Sequence, residues 1–316
     1  MDGLLVVDKP SGPTSHDVVA RMRRVLREKR IGHTGTLDPM ATGVLLLVVG
    51  KATRLAKFLS AGDKSYDAVV RLGFATDTAD AQGRPLGPVS ERPMPSRDAI
   101  DAALDAFRGT FLQQPPAFSA KKIDGQRSYK LARARRSAGS DPVGSDPLGS
   151  DTAALPAPAS VTTTRLEILT IEADCVTLRL DCSAGFYVRS LAHDLGERLG
   201  LGAHLTALRR TRTGDFGLDR ALPLDAAERD PQRTAAAVVP LADMLPRLPS
   251  MVLTAEGATR VAHGQDVRPA DSVLASTGLC ALSPPPFVRL LDIRGDLLAI
   301  AEPAGAGLLH PSVVLV

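Results

Sequence analysis

Residues 32–43, which read GHTGTLDPMATG, leave the backbone few alternatives. The glycines and the proline exclude regular secondary structure, so this stretch is predicted to be a loop. Pro39 moves the backbone of Asp38 away from the helical region, and the glycines on either side permit sharp turns and the close approach of a ligand. The apolar run at residues 44–49 follows directly and is typical of a buried strand. The sequence therefore places Asp38 on a stiff loop that leads into the core, although an Asp-Pro pair alone is an ordinary turn.

Helices and strands mix along residues 1–230 without strict alternation. Apolar periodicity predicts helices near residues 15–26, 52–60, 97–107 and 188–199. Thr14 and Asp17 have the spacing of a capping box at the start of the first of them. Strands are predicted at residues 3–7, 65–73, 161–171 and 175–183. This order indicates one α+β domain rather than a doubly wound parallel sheet.

The rest of the chain divides into three regions of different composition. Residues 138–159 contain the triplet Gly-Ser-Asp three times, followed by an Ala/Pro tract, and are predicted to be a disordered insertion. Residues 231–250 are predicted to be a connector. Residues 251–316 contain short β-like pieces such as FVRLLDI and DLLAIAE between Gly and Pro, which predicts a small all-β domain.

Charge is distributed unevenly along the chain. The formal net charge is only +3, yet residues 21–30 hold six basic side chains against one acidic, and residues 121–136 hold seven against Asp124. Such clusters can bind a polyanion, or they can be solvated helix faces. Tryptophan is absent and only three tyrosines occur, so a broad platform for stacking many bases is excluded. Recognition of RNA would depend on shape and phosphate charge.

Other features limit the cellular setting. Three cysteines at irregular spacing argue against a disulfide framework and against a zinc knuckle, and no metal-ligand spacing is present. Charged residues end the opening apolar run at Asp8 and Lys9, unlike a signal peptide. The aliphatic run at residues 44–49 is too short to span a bilayer. We therefore expect a soluble, cytoplasmic protein without a membrane partner.

Four further segments accompany the loop, in chain order. They read VDKPSG at residues 7–12, KSY at 64–66, QPPAFSAK at 114–121 and CSAGFYVRS at 182–190, the last followed by GAHL and LRR. Together with the loop, they resemble the TruB family of tRNA pseudouridine-55 synthases of the bacterial type, from about residue 3 to residue 214. The resemblance implies the pseudouridine synthase fold, with a central mixed, mainly antiparallel sheet, flanking helices and an active-site cleft. It also implies a small C-terminal β domain of the RNA-binding PUA type.

The same resemblance implies the catalytic group and its partner. Asp38 occupies the position of the nucleophilic aspartate. Arg189 occupies the position of the arginine that pairs with it, and a guanidinium there would keep a buried carboxylate ionised and oriented. Tyr66 matches the tyrosine that stacks on the target uracil and is a candidate for proton transfer.

Four more residues are implied to bind the substrate. Tyr187 and Leu208 match residues that form the walls of the uracil pocket. His33 matches the histidine that contacts RNA as the target nucleotide is extracted. Lys9 matches the basic residue of the amino-terminal motif, for which we expect a structural or phosphate-orienting role.

The implied reaction converts uridine 55 in the T-loop of tRNA to pseudouridine. The uridine is buried in a folded loop, so it must be turned out of its stack before Asp38 can reach it. No electrons are gained or lost overall, so no cofactor is expected. The expected partner is the T-arm of tRNA, and the expected state is a monomer without an obligatory protein partner.

Three other interpretations remain. A dyskerin-like synthase that depends on a guide RNA shares the loop but usually carries longer basic extensions. A protein that only binds or folds tRNA would function without Asp38. A glycoside or nucleoside hydrolase usually needs a second carboxylate as acid, and no motif for one stands out.

Overall fold

The structure is a computed structural model that describes residues 1–116, 122–123, 126–127, 156–275 and 286–316. Its strands β1 to β18 are, in order, Gly3–Lys9, Ile31–Thr34, Thr42–Val49, Lys64–Leu72, Gly109–Gln113, Lys122–Ile123, Gln126–Arg127, Ala159–Glu172, Cys175–Cys182, Ala203–Thr213, Phe216–Gly217, Leu222–Pro223, Val239–Pro240, Ser250–Leu253, Ser272–Ala275, Val288–Leu291, Leu297–Gly305 and Leu308–Val314. Its α-helices α1 to α7 are Ser15–Val25, Ala56–Ser60, Arg97–Leu104, Val188–Leu199, Leu224–Arg229, Pro231–Ala236 and Ala255–Ala262.

Within the described residues, eleven strands form the main sheet. Eight of them follow the order β12-β1-β3-β10-β4-β9-β8-β5, while β2, β11 and β13 pair at its sides. Only β1 with β12 and β3 with β10 run parallel, and the other pairs are antiparallel. The predicted α+β fold with a mixed, mainly antiparallel sheet is confirmed.

The centre of the main sheet is apolar on both faces. Side chains alternate along a strand, so neighbouring residues of β1 and β3 enter different cores. Leu5 and Leu47 face a core that includes residues of α1 and α4. Leu4 and Leu46 face a second core that includes Met244 and residues of β17 and β18. This arrangement explains why β1 and β3 are continuous apolar runs.

The predicted elements of this domain form with small shifts at their ends. Helix α1 has the predicted capping box, in which the Thr14 hydroxyl accepts from the Asp17 amide and the Asp17 carboxylate accepts from the Thr14 amide. The loop prediction for residues 32–43 is wrong at both ends. Residues 32–34 belong to β2, and β3 begins at Thr42. Pairing between β2 and β3 stabilises both strands despite the glycines at positions 32 and 43.

The C-terminal region forms a sheet of its own. Its strand order is β15-β14-β16-β17-β18, which confirms the small C-terminal β domain. The prediction that this domain is all-β is wrong, because α7 follows β14 and packs through the buried Val261. Thr254 caps α7 by accepting from the Gly257 amide. The helix is only eight residues long and contains Gly and Thr, which have low helix propensity, and for this reason it was not predicted.

The low-complexity stretch and the basic segment at residues 121–136 are only partly described. Residues 138–155 of the low-complexity stretch, and most of the basic segment 121–136, lie outside the described residues. Residue 159, the end of that stretch, is the first residue of β8. Residues 231–250 contain α6 and β13, and β13 pairs with β1. In the part of the chain that the structure describes, no helix is both long and apolar enough to cross a membrane.

Candidate active site

The loop that carries Asp38 is fixed from below by the amino-terminal segment. The Ser15 hydroxyl, at the first turn of α1, accepts from the Leu37 amide at 2.9 Å and donates to the Leu37 carbonyl at 3.1 Å. The Gly12 amide donates to the Pro39 carbonyl at 2.8 Å. Both neighbours of Asp38 are therefore bound to the same segment. This contact explains why VDKPSG and the loop occur together in the sequence.

Lys9 lies beneath this loop and is fully buried. Its ammonium donates to the carbonyls of Pro10, Pro13 and Pro39 at 2.9, 2.8 and 3.2 Å. Burial lowers the pKa of Lys9 to about 8, although the nearby carboxylate of Asp38 opposes this shift. The side chain does not point to solvent, so in this structure it holds the loop.

Asp38 and Arg189 form an ion pair across the pocket. Arg189 Nε lies 2.9 Å from Asp38 Oδ2, and Nη2 donates to Oδ1 at 3.5 Å. The Arg189 side chain is 8% exposed, whereas that of Asp38 is 35% exposed. The guanidinium is thus enclosed by the protein, and the carboxylate remains accessible to a ligand.

A second aspartate, which the sequence analysis missed, lies on the other side of Arg189. Asp80 Oδ2 is 3.8 Å from Arg189 Nε, and Arg189 Nη1 donates to the Thr78 carbonyl at 3.1 Å. Asp80 is itself held, because its Oδ1 accepts from the Thr78 hydroxyl and the Gln82 amide at 2.6 and 3.0 Å. Arg189 is therefore fixed from two sides. The order of residues gave no signal for Asp80, since it lies in a loop more than 100 residues before Arg189.

The pocket above Asp38 has a volume of about 250 Å³, enough for one nucleobase. Five predicted residues line it, namely Asp38, Tyr66, Tyr187, Arg189 and Leu208. They come from the β2–β3 loop, β4, the start of α4 and β10. The fold thus brings together residues that are up to 170 positions apart in the sequence.

Two further cations line the pocket and were not predicted. Lys64 donates to the carbonyls of Ser60 and Gly62 at 3.0 and 2.5 Å. Arg210 donates to the carbonyls of Val44 and Gly35 at 2.7 and 3.1 Å. Burial lowers the pKa of Lys64, and the positive charge of Arg210 adds to this effect. The floor of the pocket is therefore positively charged.

Tyr66 stands on β4 with its ring in the pocket and is almost fully buried. Burial raises the pKa of its phenol, and a hydrogen bond from Arg210 partly opposes the shift. At neutral pH Tyr66 is a neutral phenol.

The position of Tyr187 is set by the edge strand β5. Gln113 Oε1 accepts from the Tyr187 amide at 2.8 Å, and Gln113 Nε2 donates to the Tyr187 carbonyl at 3.0 Å. The Ser190 hydroxyl donates to the Gln114 carbonyl at 2.8 Å. These contacts orient the start of α4, and with it Arg189. Gln113 precedes the QPP motif and was missed for that reason.

His33 does not line the pocket. It lies on β2, and its ring contacts the edge of the His16 ring at a centroid distance of 5.0 Å. His16 belongs to α1, which also carries Arg21, Arg23 and Arg24 of the basic cluster at residues 21–30. Among the described residues, no three His, Cys, Asp or Glu side chains group closely enough to hold a metal ion.

Two solved multi-component assemblies contain chains of similar fold. A Cbf5-Nop10-Gar1 complex matches with a TM-score of 0.72 and 25% sequence identity, over 99% of this chain and 85% of that chain. An H/ACA RNP bound to a substrate RNA containing 2'-deoxyuridine matches with a TM-score of 0.69 at 23% identity. This chain thus shares the fold of the chains matched in these two assemblies.

Comparison with protein families is more specific. Residues 23–143 match the TruB family pseudouridylate synthase N-terminal domain, and residues 189–245 match the tRNA pseudouridylate synthase B C-terminal domain. The chain belongs to the TruB family. It is 41% identical to tRNA pseudouridine synthase B of Solibacter usitatus over the full length of both chains. It is 40% identical to the protein of that name in Geobacter sulfurreducens, over 98% of this chain and 95% of that protein. The predicted family and enzyme class are confirmed.

Proposed function

We propose that this enzyme converts uridine 55 in the T-loop of tRNA to pseudouridine, with the carboxylate of Asp38 as the nucleophile. One observation carries the proposal. An accessible carboxylate is paired with an enclosed guanidinium, Arg189, at a pocket that admits a single base. The full-length relatives named tRNA pseudouridine synthase B support tRNA as the substrate.

The pocket suits a base that has left its stack. Tyr66 offers an aromatic face to the base, and Leu208 and Tyr187 offer further walls. The cost of flipping the nucleotide is a few kcal/mol, and contacts within the pocket offset it. The ion pair with Arg189 holds the Asp38 carboxylate in place, and the attraction between them strengthens once the base excludes water.

The reaction is an isomerisation. The bond from uracil N1 to the ribose breaks, the bond from C5 to the ribose forms, C5 loses a proton and N1 gains one. The atoms of substrate and product are the same and no electrons are transferred. We therefore expect no cofactor, and a carboxylate can supply either covalent catalysis or charge stabilisation.

Contacts outside the pocket would hold the T-arm. We assign to this surface His33 and the exposed members of the basic cluster at residues 21–30, because they lie together beside β2. Phosphate neutralisation supplies most of the affinity in such complexes. Lys9 is bound to three carbonyls, so we assign it to the positioning of the Asp38 loop rather than to phosphate.

We propose that the enzyme acts as a cytoplasmic monomer. The similar solved structures are a Cbf5-Nop10-Gar1 complex and an H/ACA RNP bound to a substrate RNA. By contrast, the relative from Solibacter usitatus is named tRNA pseudouridine synthase B, and it matches this chain from end to end. A guide-RNA-dependent mode is therefore less well supported.

The first prediction tests Asp38 directly. We expect Asp38→Asn to abolish tritium release from a T-arm transcript labelled at C5 of uridine, because the amide is not a nucleophile. RNA binding should stay within about tenfold of wild type, since it depends mainly on phosphate contacts. The measurements are tritium release without added metal or nucleotide, and binding by filter retention.

The matched control is Asp174→Asn. Asp174 also pairs with an arginine, Arg71 at 2.7 Å, but both side chains are at the surface away from the pocket. Tritium release by Asp174→Asn should equal that of wild type. Turnover by Asp38→Asn at the wild-type rate would exclude Asp38 as the nucleophile. Binding without release by the wild-type protein would instead indicate an RNA-folding protein.

A further inference from the structure

A guanidinium is buried between the two strands that flank the pocket floor. Arg210 lies on β10, opposite Tyr66 of β4 on one side and Gly43 of β3 on the other. Only 1% of its surface is exposed, although it belongs to the residues that line the pocket. The strand register therefore delivers this charge to the place where the loop and Tyr66 meet.

The charge of Arg210 is bound by main-chain oxygens. Its Nε donates to the Val44 carbonyl of β3, and its Nη2 donates to the Gly35 carbonyl at the start of the β2–β3 loop. Within the described ranges Arg210 forms no ion pair, whereas its neighbours Arg209 and Arg212 both do. A buried charge without a counterion is costly, so packing alone is a poor reason for an arginine at this position.

Arg210 also lies beside Tyr66, because the two residues are register partners on β10 and β4 and both line the pocket. Paired residues of neighbouring strands project from the same face of a sheet, so their side chains are neighbours. The positive charge of Arg210 acts to lower the pKa of Tyr66, against the larger, raising effect of burial. The same guanidinium binds Gly35 of the loop that bears Asp38.

We propose that Arg210 is a positioning residue for this enzyme, which fixes the phenol of Tyr66 and the Asp38 loop in one geometry relative to the bound base. The effect on turnover rests on the proposed function, whereas the contact between Arg210 and Tyr66 does not. A positioning role differs from a structural one, because it affects the chemical step more than RNA binding.

The contact can be tested without RNA. The chain contains three tyrosines, Tyr66, Tyr129 and Tyr187, so tyrosine labelled with carbon-13 at Cζ gives three NMR signals. Tyr66→Phe assigns the signal of Tyr66. We expect Arg210→Met to shift this signal, because the positive charge beside the phenol is lost.

The matched control is Arg212→Met. Arg212 lies on the same strand, but it is partly exposed and donates to the Ser65 hydroxyl and the Gly214 carbonyl. Its substitution should leave the Tyr66 signal in place. An unchanged Tyr66 signal in Arg210→Met would overturn the proposal, whatever the enzyme acts on.

Single-turnover kinetics on the T-arm transcript test the consequence. With enzyme in excess, Arg210→Met should lower the rate about 100-fold, the effect typical of a misplaced reacting group. The Kd for RNA should stay within about threefold, because Arg210 is buried away from phosphate. Arg212→Met should react at close to the wild-type rate.

Each other result has a definite meaning. A rate within about threefold of wild type in Arg210→Met would refute the positioning role. Loss of RNA binding equal to the loss of rate would show a structural role and also refute it. If Arg210→Met does not fold, Arg210→Lys replaces it in both measurements, and an unshifted Tyr66 signal with full rate would refute the proposal. If wild type itself releases no tritium, the proposed function fails, and the NMR result still decides the contact.

Discussion

Two opposed effects act on Lys9. Burial disfavours its charged ammonium, and three carbonyls accept hydrogen bonds from that ammonium. Desolvation is the largest influence on its pKa and lowers it from 10.5 to about 8. The unfolded chain has no such environment, so there Lys9 keeps its proton up to a much higher pH. Folding stability must therefore depend on pH through this residue.

We predict the sign of this dependence. Between about pH 8 and 10.5 the unfolded state binds more protons at Lys9 than the folded state does, so raising the pH favours folding through this residue. The slope that Lys9 adds to the free energy of unfolding is at most roughly 1.4 kcal/mol per pH unit, and this slope falls to zero well below pH 8. Urea denaturation over this range should show a more positive slope for wild type than for Lys9→Met.

The exposed Lys29 provides the comparison for this prediction. Lys29→Met should retain the wild-type slope of unfolding free energy against pH. Lys9→Met will be less stable overall, because three carbonyls lose their donor. Only the slope tests the pKa, and parallel slopes for wild type and Lys9→Met would contradict the prediction.

The sequence motifs identify residues that line the pocket, but not the residues behind them. Asp38, Tyr66 and Arg189 stand in distinctive motifs, and the structure places them in one pocket. Asp80 and Arg210 act through contacts with residues more than 100 positions away. Such contacts depend on strand register and loop path, which no local pattern encodes.

Strand β10 is the element on which the pocket depends, and it was not predicted. It lies between β3 and β4 in the main sheet and carries both Leu208 and Arg210. Its buried positions include His204, Arg210 and Thr213. Apolar alternation identifies a strand whose buried face is hydrophobic, and polar residues on that face hide the pattern. The strands β1 and β3 were found because their runs are apolar throughout.

The approach of β3 to β10 requires glycine at position 43. Gly43 has φ +100°, and a Cβ there would lie 2.1 Å from the Arg210 carbonyl oxygen. We predict that Gly43→Ala lowers the free energy of unfolding by about 3 kcal/mol or more, because backbone atoms must separate. It should also lower pseudouridine formation, since the strands that hold the loop move apart. Chemical denaturation and tritium release are the measurements.

Gly12 is the matched position for this test. It also has a positive φ, +108°, but a Cβ at this position would meet no atom of the described residues within 4 Å beyond its own chain neighbours. Gly12→Ala should therefore cost only the backbone strain, about 1–3 kcal/mol. If Gly43→Ala and Gly12→Ala lowered the free energy of unfolding equally, the close approach of β3 to β10 would not be the reason that position 43 requires glycine.

The two domains share one of the three hydrophobic cores of the described residues. The second core contains Leu4 and Leu46 of the main sheet together with Ile300 and Val313 of the C-terminal sheet. The sequence predicted both domains, but each apolar strand face could have met many partners. An amphipathic pattern shows that one face of a strand is buried, but it does not identify the element against which that face packs.

We predict that the shared core makes the two domains unfold together. Ile300→Ala should lower the free energy of unfolding by about 2–5 kcal/mol, because Ile300 is fully buried. Hydrogen exchange followed by mass spectrometry should show the same loss of protection in β3 and in β17. A loss confined to the C-terminal sheet would indicate independent domains.

The pairing of β1 has a consequence for synthesis on the ribosome. Strand β1 is bordered on one side by β3 and on the other by β12 and β13, which lie at residues 222–240. The pairing of β1 must therefore wait for residues more than 200 positions downstream to emerge, and non-local pairing of this kind is slow to form. Arg189, Leu208 and Arg210 also arrive late. A nascent product that ends before residue 189 thus has Asp38 but no Arg189 to orient it, and RNA near the ribosome meets the assembled pocket only after residues 189–223 have emerged.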